Sequence, residues 1–148
     1  DAWRADSREM LPYSADKARR DVAIIDAKVL SNRKPPYGIK GGLYDALKAT
    51  NGEVLVATNA QGRKAAKLFE ELEGIDIHPA AAIATATLIK AAQEGKIDKD
   101  ATIMLNITGA GEQRFKREHD VVYLEPSKIF PLNVEADEVI AAVEALFE

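Results

Sequence analysis

The chain has 148 residues, a net charge of −4 and no cysteine. These totals exclude a disulfide scaffold, a zinc–thiolate site and a thiol nucleophile, and the acidic balance argues against a nucleic-acid partner. The two histidines, His78 and His119, lie too far apart in sequence to suggest a metal site. No apolar run approaches the roughly 20 residues that a membrane span needs. We therefore expect one soluble, cytoplasmic domain without a membrane partner.

The first part of the chain predicts an irregular start, a strand and a short helix. Residues 1–21 show no steady hydrophobic period, which indicates an irregular or weakly helical lead-in, and they do not begin with Met, so we expect a fragment or a processed product. The apolar run 22–25 predicts a strand, with helix as the alternative for so short a run. Prolines and glycines in 31–42 predict a loop, and 43–50 has the spacing of a helix that ends at Asn51.

The middle of the chain predicts a strand followed by two helices. Residues 53–58 are apolar at consecutive positions, which is typical of a strand covered on both faces. Thr58 or Asn59 can cap the helix that follows, and Gly74 lies just past its end. Residues 80–95 are apolar nearly all round, which indicates a buried helix closed by Gly95.

The last part predicts two strands, 101–107 and 120–126, and a closing helix over 135–148 with Asn133 as its cap. Strands that alternate with helices predict an α/β fold. We expect a layered arrangement in which a mainly parallel sheet is flanked by helices, all within a single domain, 1–148.

Two glycine-bearing loops follow predicted strands, at the sheet edge where ligands usually bind. They are "GIKGG", residues 38–42, and "TGAG", residues 108–111. Neither is a complete dinucleotide fingerprint or a phosphate-binding P-loop, so ligand contact and an ordinary turn both remain open.

Individual side chains in and after these loops also have two interpretations. The Thr108 hydroxyl can donate to a ring nitrogen or a phosphate, or can satisfy nearby backbone groups. Lys40 can contact an anion or face solvent. The basic residues that follow the second loop form either an anion site or a solvated face: Arg114, Lys116 and Arg117.

Three segments, "NRKPPYGIKGGLYDALKATNGEVLVATN", "GIDIHPAAAIATATLIKAAQEGKID" and "IMLNITGAG", together resemble the C-terminal part of fold-type II pyridoxal-phosphate enzymes. The resemblance extends over the whole chain and depends on the order and spacing of the segments. The nearest branch is the threonine synthase-like family, and within it the cysteate synthases. Ala110 stands where threonine synthases often have a histidine, and His78 stands where the family often has an acidic residue.

The resemblance implies site residues for pyridoxal phosphate. Thr108 would donate to the pyridine nitrogen, with Gly109 beside it. Residues of the first loop would line the cofactor ring: Ile39, Gly41 and Gly42. Lys40 would reach the substrate side of the ring and contact the anionic groups of the substrates. On this interpretation the chain forms part of the large cofactor-binding domain.

The same resemblance implies that this chain lacks catalytic residues of its own. The family's Schiff-base lysine lies in the N-terminal half, and no lysine here has that motif. We therefore expect the isolated chain to be inactive, and to act with the remaining N-terminal half in an enzyme that is a homo-oligomer at full length.

Three functions remain open at this stage. The whole enzyme would convert O-phospho-L-serine and sulfite to L-cysteate and phosphate, a step of coenzyme M biosynthesis. The alternative within the family is a threonine synthase that acts on O-phosphohomoserine. The alternative outside it is a non-catalytic α/β module that binds a small anion at the two glycine loops.

Overall fold

A computed structural model describes residues 1–29 and 31–147, and six helices lie in that part of the chain. Two compact units divide it, residues 1–118 and residues 119–148. The first unit holds five of the helices, and the second holds the last: α1 (Ala15–Ile24), α2 (Leu43–Thr50), α3 (Asn59–Glu73), α4 (Pro79–Gln93), α5 (Glu112–Glu118) and α6 (Ala136–Glu144).

The prediction of a mainly parallel sheet is wrong. No strand occurs among the described residues, and their one β-type pairing is an isolated antiparallel bridge between Ile77 and Ala110. The segments 53–58, 101–107 and 120–126 leave apolar side chains exposed, and Met104 is 92% exposed. An apolar run reports a tendency to be buried, but a strand also needs a neighbour to pair its N–H and C=O groups. The sequence pattern contains no information on that neighbour.

The predicted strand at 22–25 is also wrong, because helix α1 runs through Ile24. Two local features favour the helix. The Ser14 side chain accepts a hydrogen bond from the Lys17 N–H at the N-terminus, and Lys17 forms an ion pair with Asp21 one turn further on. These polar contacts lie upstream of the apolar run, so the run alone did not reveal them.

The structure confirms the middle helices. Thr58 caps α3 and forms a capping box with Gln61, and Gly74 ends the helix in the left-handed conformation at φ 73°. Asn51 ends α2 in the same way, at φ 52°. Helix α4 begins at Pro79, and Gly95 lies just beyond its end.

The core of the first unit lies where α3 packs against α4. Small side chains allow a close approach, since an added Cβ on Gly62 would lie 2.9 Å from Cδ1 of Ile83. A buried cluster sits at the start of α4 and gathers partly buried neighbours from α3 and from the segment before "TGAG". The cluster is Ile77, Ala81 and Ala82, and its neighbours are Ala66, Phe69 and Ile107.

Two helices near the end of the chain differ from expectation. Helix α5 follows the "TGAG" loop, where the sequence has no strong helical pattern. Helix α6 has Glu135 at its cap position, so the predicted cap at Asn133 is wrong. None of the helices in 1–29 and 31–147 is long and apolar enough to cross a membrane.

Candidate cofactor-contacting loops

The "TGAG" loop, residues 108–111, is held by backbone hydrogen bonds to the linker between α3 and α4. The His78 N–H donates to the Gly109 carbonyl at 2.8 Å, and the Gly111 N–H donates to the Asp76 carbonyl at 2.7 Å. An added Cβ on Gly109 would lie 3.1 Å from the Cβ of His78. Gly111 has φ 77°, in the left-handed region that favours glycine. A side chain at position 109 would therefore crowd His78, and a side chain at position 111 would strain the backbone.

A carboxylate strengthens the same attachment. The N–H groups of Gln113 and Arg114 each donate to an oxygen of Asp76, both at 2.9 Å. Such N–H groups in the first turn of a helix have no partner within the helix. The bond from the Gln113 N–H is the main cause that lowers the pKa of the Asp76 carboxyl. Asp76 is therefore ionised at neutral pH.

The Thr108 side chain is exposed at the start of this loop. Its hydroxyl has no hydrogen-bond partner within the part of the chain that the structure describes. The described residues thus show no hydrogen bond from this hydroxyl to a nearby backbone group, and a contact with a ligand stays a prediction. The hydroxyl can donate to a group outside the chain.

The "GIKGG" loop, residues 38–42, is held differently, by charged side chains. Arg8 forms an ion pair with Asp45 and also donates to the Gly38 carbonyl at 3.3 Å. The Gly41 N–H donates to the Asp45 carboxylate at 2.6 Å. The bond from Arg8, and then the bond from Gly41, lower the pKa of Asp45.

The residues before this loop explain why glycine stands at position 38. An added Cβ on Gly38 would lie 1.9 Å from the backbone oxygen of Arg8, which is far inside contact distance. Aromatic rings support the same region, since the Tyr44 ring meets Trp3 and Tyr37 edge to face at 5.8 and 5.7 Å. The lead-in that the sequence left irregular therefore supports this loop.

The predicted residues within "GIKGG" are mostly exposed. Ile39 is 59% exposed, and Lys40 and Gly41 are exposed as well. The Gly42 N–H donates to the Ile39 carbonyl at 2.9 Å, so the loop closes on itself. Lys40 makes no ion pair with any described residue. The structure therefore leaves the side chains of Ile39 and Lys40 accessible.

The hydrogen bonds of the two loops go to different neighbours. "GIKGG" bonds with Arg8 and Asp45, whereas "TGAG" bonds with Asp76 and His78. A shared site for the two loops therefore stays a prediction.

The basic cluster after "TGAG" is paired with acidic side chains. Arg114 pairs with Glu118 at 2.9 Å and Lys116 with Glu112 at 2.6 Å. Arg117 reaches Glu70 of α3 at 3.6 Å. Of the two interpretations of this cluster, these ion pairs favour the solvated face over the anion site.

Sequence reasoning missed the residues that hold the loops. Asp76 gave no signal because it acts on amides far along the chain, at positions 113 and 114. Arg8 lies in the lead-in and Asp45 in the predicted helix 43–50, and neither segment suggested a binding site.

Comparison with known proteins gives several close relatives. The chain is 47% identical over 126 residues to the cysteate synthase of Methanosarcina barkeri, and 41% identical over 139 residues to that of Methanocella paludicola. It is 48% identical over 118 residues to the cysteate synthase of Methanocorpusculum labreanum. These matches cover 84%, 93% and 79% of the chain. No protein-family model matches.

The chain is therefore homologous to part of an enzyme. Each of the three relatives is a cysteate synthase, so the predicted resemblance to cysteate synthases is confirmed. The chain spans about 30% of the length of these relatives, at 30%, 31% and 29%.

The residues present fit one side of pyridoxal phosphate. The exposed Thr108 hydroxyl is a neutral donor, which suits an aromatic ring nitrogen. The Gly41 and Gly42 N–H groups donate within the chain, to Asp45 and Ile39, so they do not form a phosphate cradle. These donors therefore suit an aromatic ring nitrogen better than a phosphate group.

Proposed function

We propose that this chain is the C-terminal part of a pyridoxal-phosphate-dependent cysteate synthase. The enzyme would replace the phosphate of O-phospho-L-serine with sulfite and release L-cysteate, a step of coenzyme M biosynthesis. The observation that carries this proposal is the 41–48% identity to cysteate synthases over most of the chain. The remainder of the enzyme, its homo-oligomeric state and its cytoplasmic location are part of the same proposal.

The chain's own contribution would be to orient the cofactor and tune it. Pyridoxal phosphate, when bound, supplies the electron sink for bond changes at the substrate's α- and β-carbons. The Thr108 hydroxyl would donate to an unprotonated ring nitrogen. A carboxylate at this position would instead hold a proton on that nitrogen and strengthen the sink. A neutral donor limits the delocalisation of charge into the ring, which favours loss of a group from the β-carbon.

The "GIKGG" loop would line the ring and meet the anionic reactants. Ile39 offers an exposed apolar side chain to the ring, beside Gly41 and Gly42. The ammonium of Lys40 is exposed and unpaired within the described residues, so it is free to approach a phosphate or sulfite group. A cation there would offset charge on the departing phosphate.

An assay of the full-length enzyme tests this proposal. The purified protein is incubated with O-phospho-L-serine or with O-phosphohomoserine, each with and without sulfite. We expect release of phosphate and formation of L-cysteate with O-phospho-L-serine and sulfite together. Formation of threonine from O-phosphohomoserine without sulfite would contradict the proposal and support a threonine synthase.

A further inference from the structure

The residues on both sides of Thr108 contact the linker between α3 and α4 and the start of α4. Ile107, the residue before Thr108, packs on the buried cluster of Ile77, Ala81 and Ala82. Gly109, the residue after it, accepts a hydrogen bond from the His78 N–H. Ala110 then forms the antiparallel bridge with Ile77. The residue before Thr108 is thus held by the core cluster at Ile77 and the start of α4, and the residue after it by the His78 N–H.

The loop beyond Thr108 needs a further restraint because it contains two glycines. Glycine loses more conformational freedom on folding than any other residue, and Gly111 adopts the left-handed region at φ 77°. Asp76 supplies that restraint through three bonds. Its carbonyl accepts from the Gly111 N–H, and its two carboxylate oxygens accept from the N–H groups of Gln113 and Arg114.

We propose that Asp76 is a positioning residue for the Thr108 hydroxyl. It touches neither the cofactor nor the substrate. Its carboxylate fixes the start of α5, which closes the loop from its far end and holds the hydroxyl in the direction that a ring nitrogen requires. A carboxylate suits this task because it accepts bonds from two N–H donors at once. The inference rests on the proposed contact between Thr108 and pyridoxal phosphate.

A double-mutant cycle on the full-length enzyme tests the inference, with the equilibrium affinity of the apoenzyme for pyridoxal phosphate as the readout. Asp76→Ala is expected to weaken this affinity about tenfold, the factor that corresponds to about 1.4 kcal/mol. In the Thr108→Val background there is no hydroxyl left to misplace. Asp76→Ala should then cause no further loss of affinity.

Two variants control for loss of the fold. Asp76→Asn keeps the volume and one acceptor oxygen, so we expect an intermediate affinity. Asp98→Ala removes an exposed aspartate whose carboxylate also accepts a backbone bond, from the Asp100 N–H at 2.9 Å, and the affinity of this variant should be unchanged. Circular dichroism establishes that each variant is folded.

The outcomes separate this inference from the function on which it rests. Loss of affinity by the same factor in both backgrounds would overturn the positioning role, because Asp76 would then act independently of Thr108. An unchanged affinity in folded Asp76→Ala would also overturn it. If Thr108→Val itself keeps wild-type affinity, the cofactor contact fails and the positioning role fails with it. Formation of L-cysteate by the wild-type enzyme remains a separate test of the activity.

Discussion

The two glycine loops of this chain are attached by different forces. "TGAG" is held to residues 76–78 mainly by its own backbone, with one carboxylate added at the start of α5. "GIKGG" is held by Arg8 and Asp45, whose side chains are 45% and 32% exposed. The difference shows that two glycine-containing loops can be attached to the rest of the chain by different kinds of interaction. The first attachment is set by backbone geometry, and the second depends more on charge and on the lead-in to α1.

The largest expected effect comes from closing the space at Gly38. Gly38→Ala would place its Cβ against the backbone oxygen of Arg8, which cannot move as a side-chain end can. We expect a loss of about 1–3 kcal/mol in the free energy of unfolding, measured by urea denaturation. Gly62→Ala is the matched control, since its Cβ meets only the flexible end of Ile83.

In the control, the gain in helix propensity of roughly 1 kcal/mol offsets that contact. We expect Gly62→Ala to be nearly neutral. Equal stability of Gly38→Ala and the wild type would show that the lead-in does not support "GIKGG" in the way described.

Protonation of Asp45 and Asp76 at low pH is expected to weaken the attachment of both loops. The pKa values of Asp45 and Asp76 are both lowered from the usual 3.8, by Arg8 and by the Gln113 N–H respectively. Each carboxylate therefore contributes stability that is complete above pH 3.8 and is lost as the pH falls through the lowered value.

Nuclear magnetic resonance can follow this loss at the amides that donate to the two carboxylates. The signals of Gly41 and Gln113 should shift together with their carboxylates at a pH below 3.8. A shift of either amide signal with its midpoint above pH 3.8 would contradict the hydrogen bonds described.

High salt should change hydrogen exchange differently in the two loops, and this effect should be smaller than the effects described above. At 1 M salt the screening length falls to about 3 Å, and an exposed ion pair contributes only about 0–1 kcal/mol. We expect faster hydrogen exchange at the Gly41 amide in high salt, because the pair of Arg8 with Asp45 weakens. The Gly111 amide donates to a carbonyl, so its exchange should change little. Equal acceleration at both amides would remove the distinction between the loops.

The smallest structural effect is expected at Lys40. Lys40→Met keeps the apolar stem of an exposed side chain and removes its charge, so stability should not change. In the full-length enzyme we expect a higher KM for O-phospho-L-serine or sulfite, with unchanged affinity for the cofactor. Wild-type KM values for both reactants at low ionic strength would show that Lys40 faces solvent only.

Helix ends were predictable from the sequence, whereas partners distant in sequence were not. Thr58, Gly74 and Asn51 act through neighbours within a few residues, so their local pattern was sufficient. The segments 53–58 and 101–107 were predicted as strands from their consecutive apolar residues, but pairing depends on a second segment that such a run does not specify.

In the candidate site, too, local features were predictable and contacts distant in sequence were not. The position of Thr108 after an apolar run was visible in the sequence, and the relationship to cysteate synthases was predictable from the motifs. The attachment of its loop was not, because Asp76 bonds with amides 37 and 38 residues away. Such contacts leave no periodic signal, so only coordinates reveal them.

The most direct test of the account is the affinity of the full-length apoenzyme for pyridoxal phosphate in two variants at position 108. Thr108→Val is nearly isosteric and removes the hydroxyl, which leaves a ring nitrogen without its donor at a cost of roughly 1–3 kcal/mol. Thr108→Ser keeps the donor. The account predicts a clear loss of affinity in the valine variant and close to wild-type affinity in the serine variant. Equal affinities in the wild type and the valine variant would contradict a cofactor contact at Thr108.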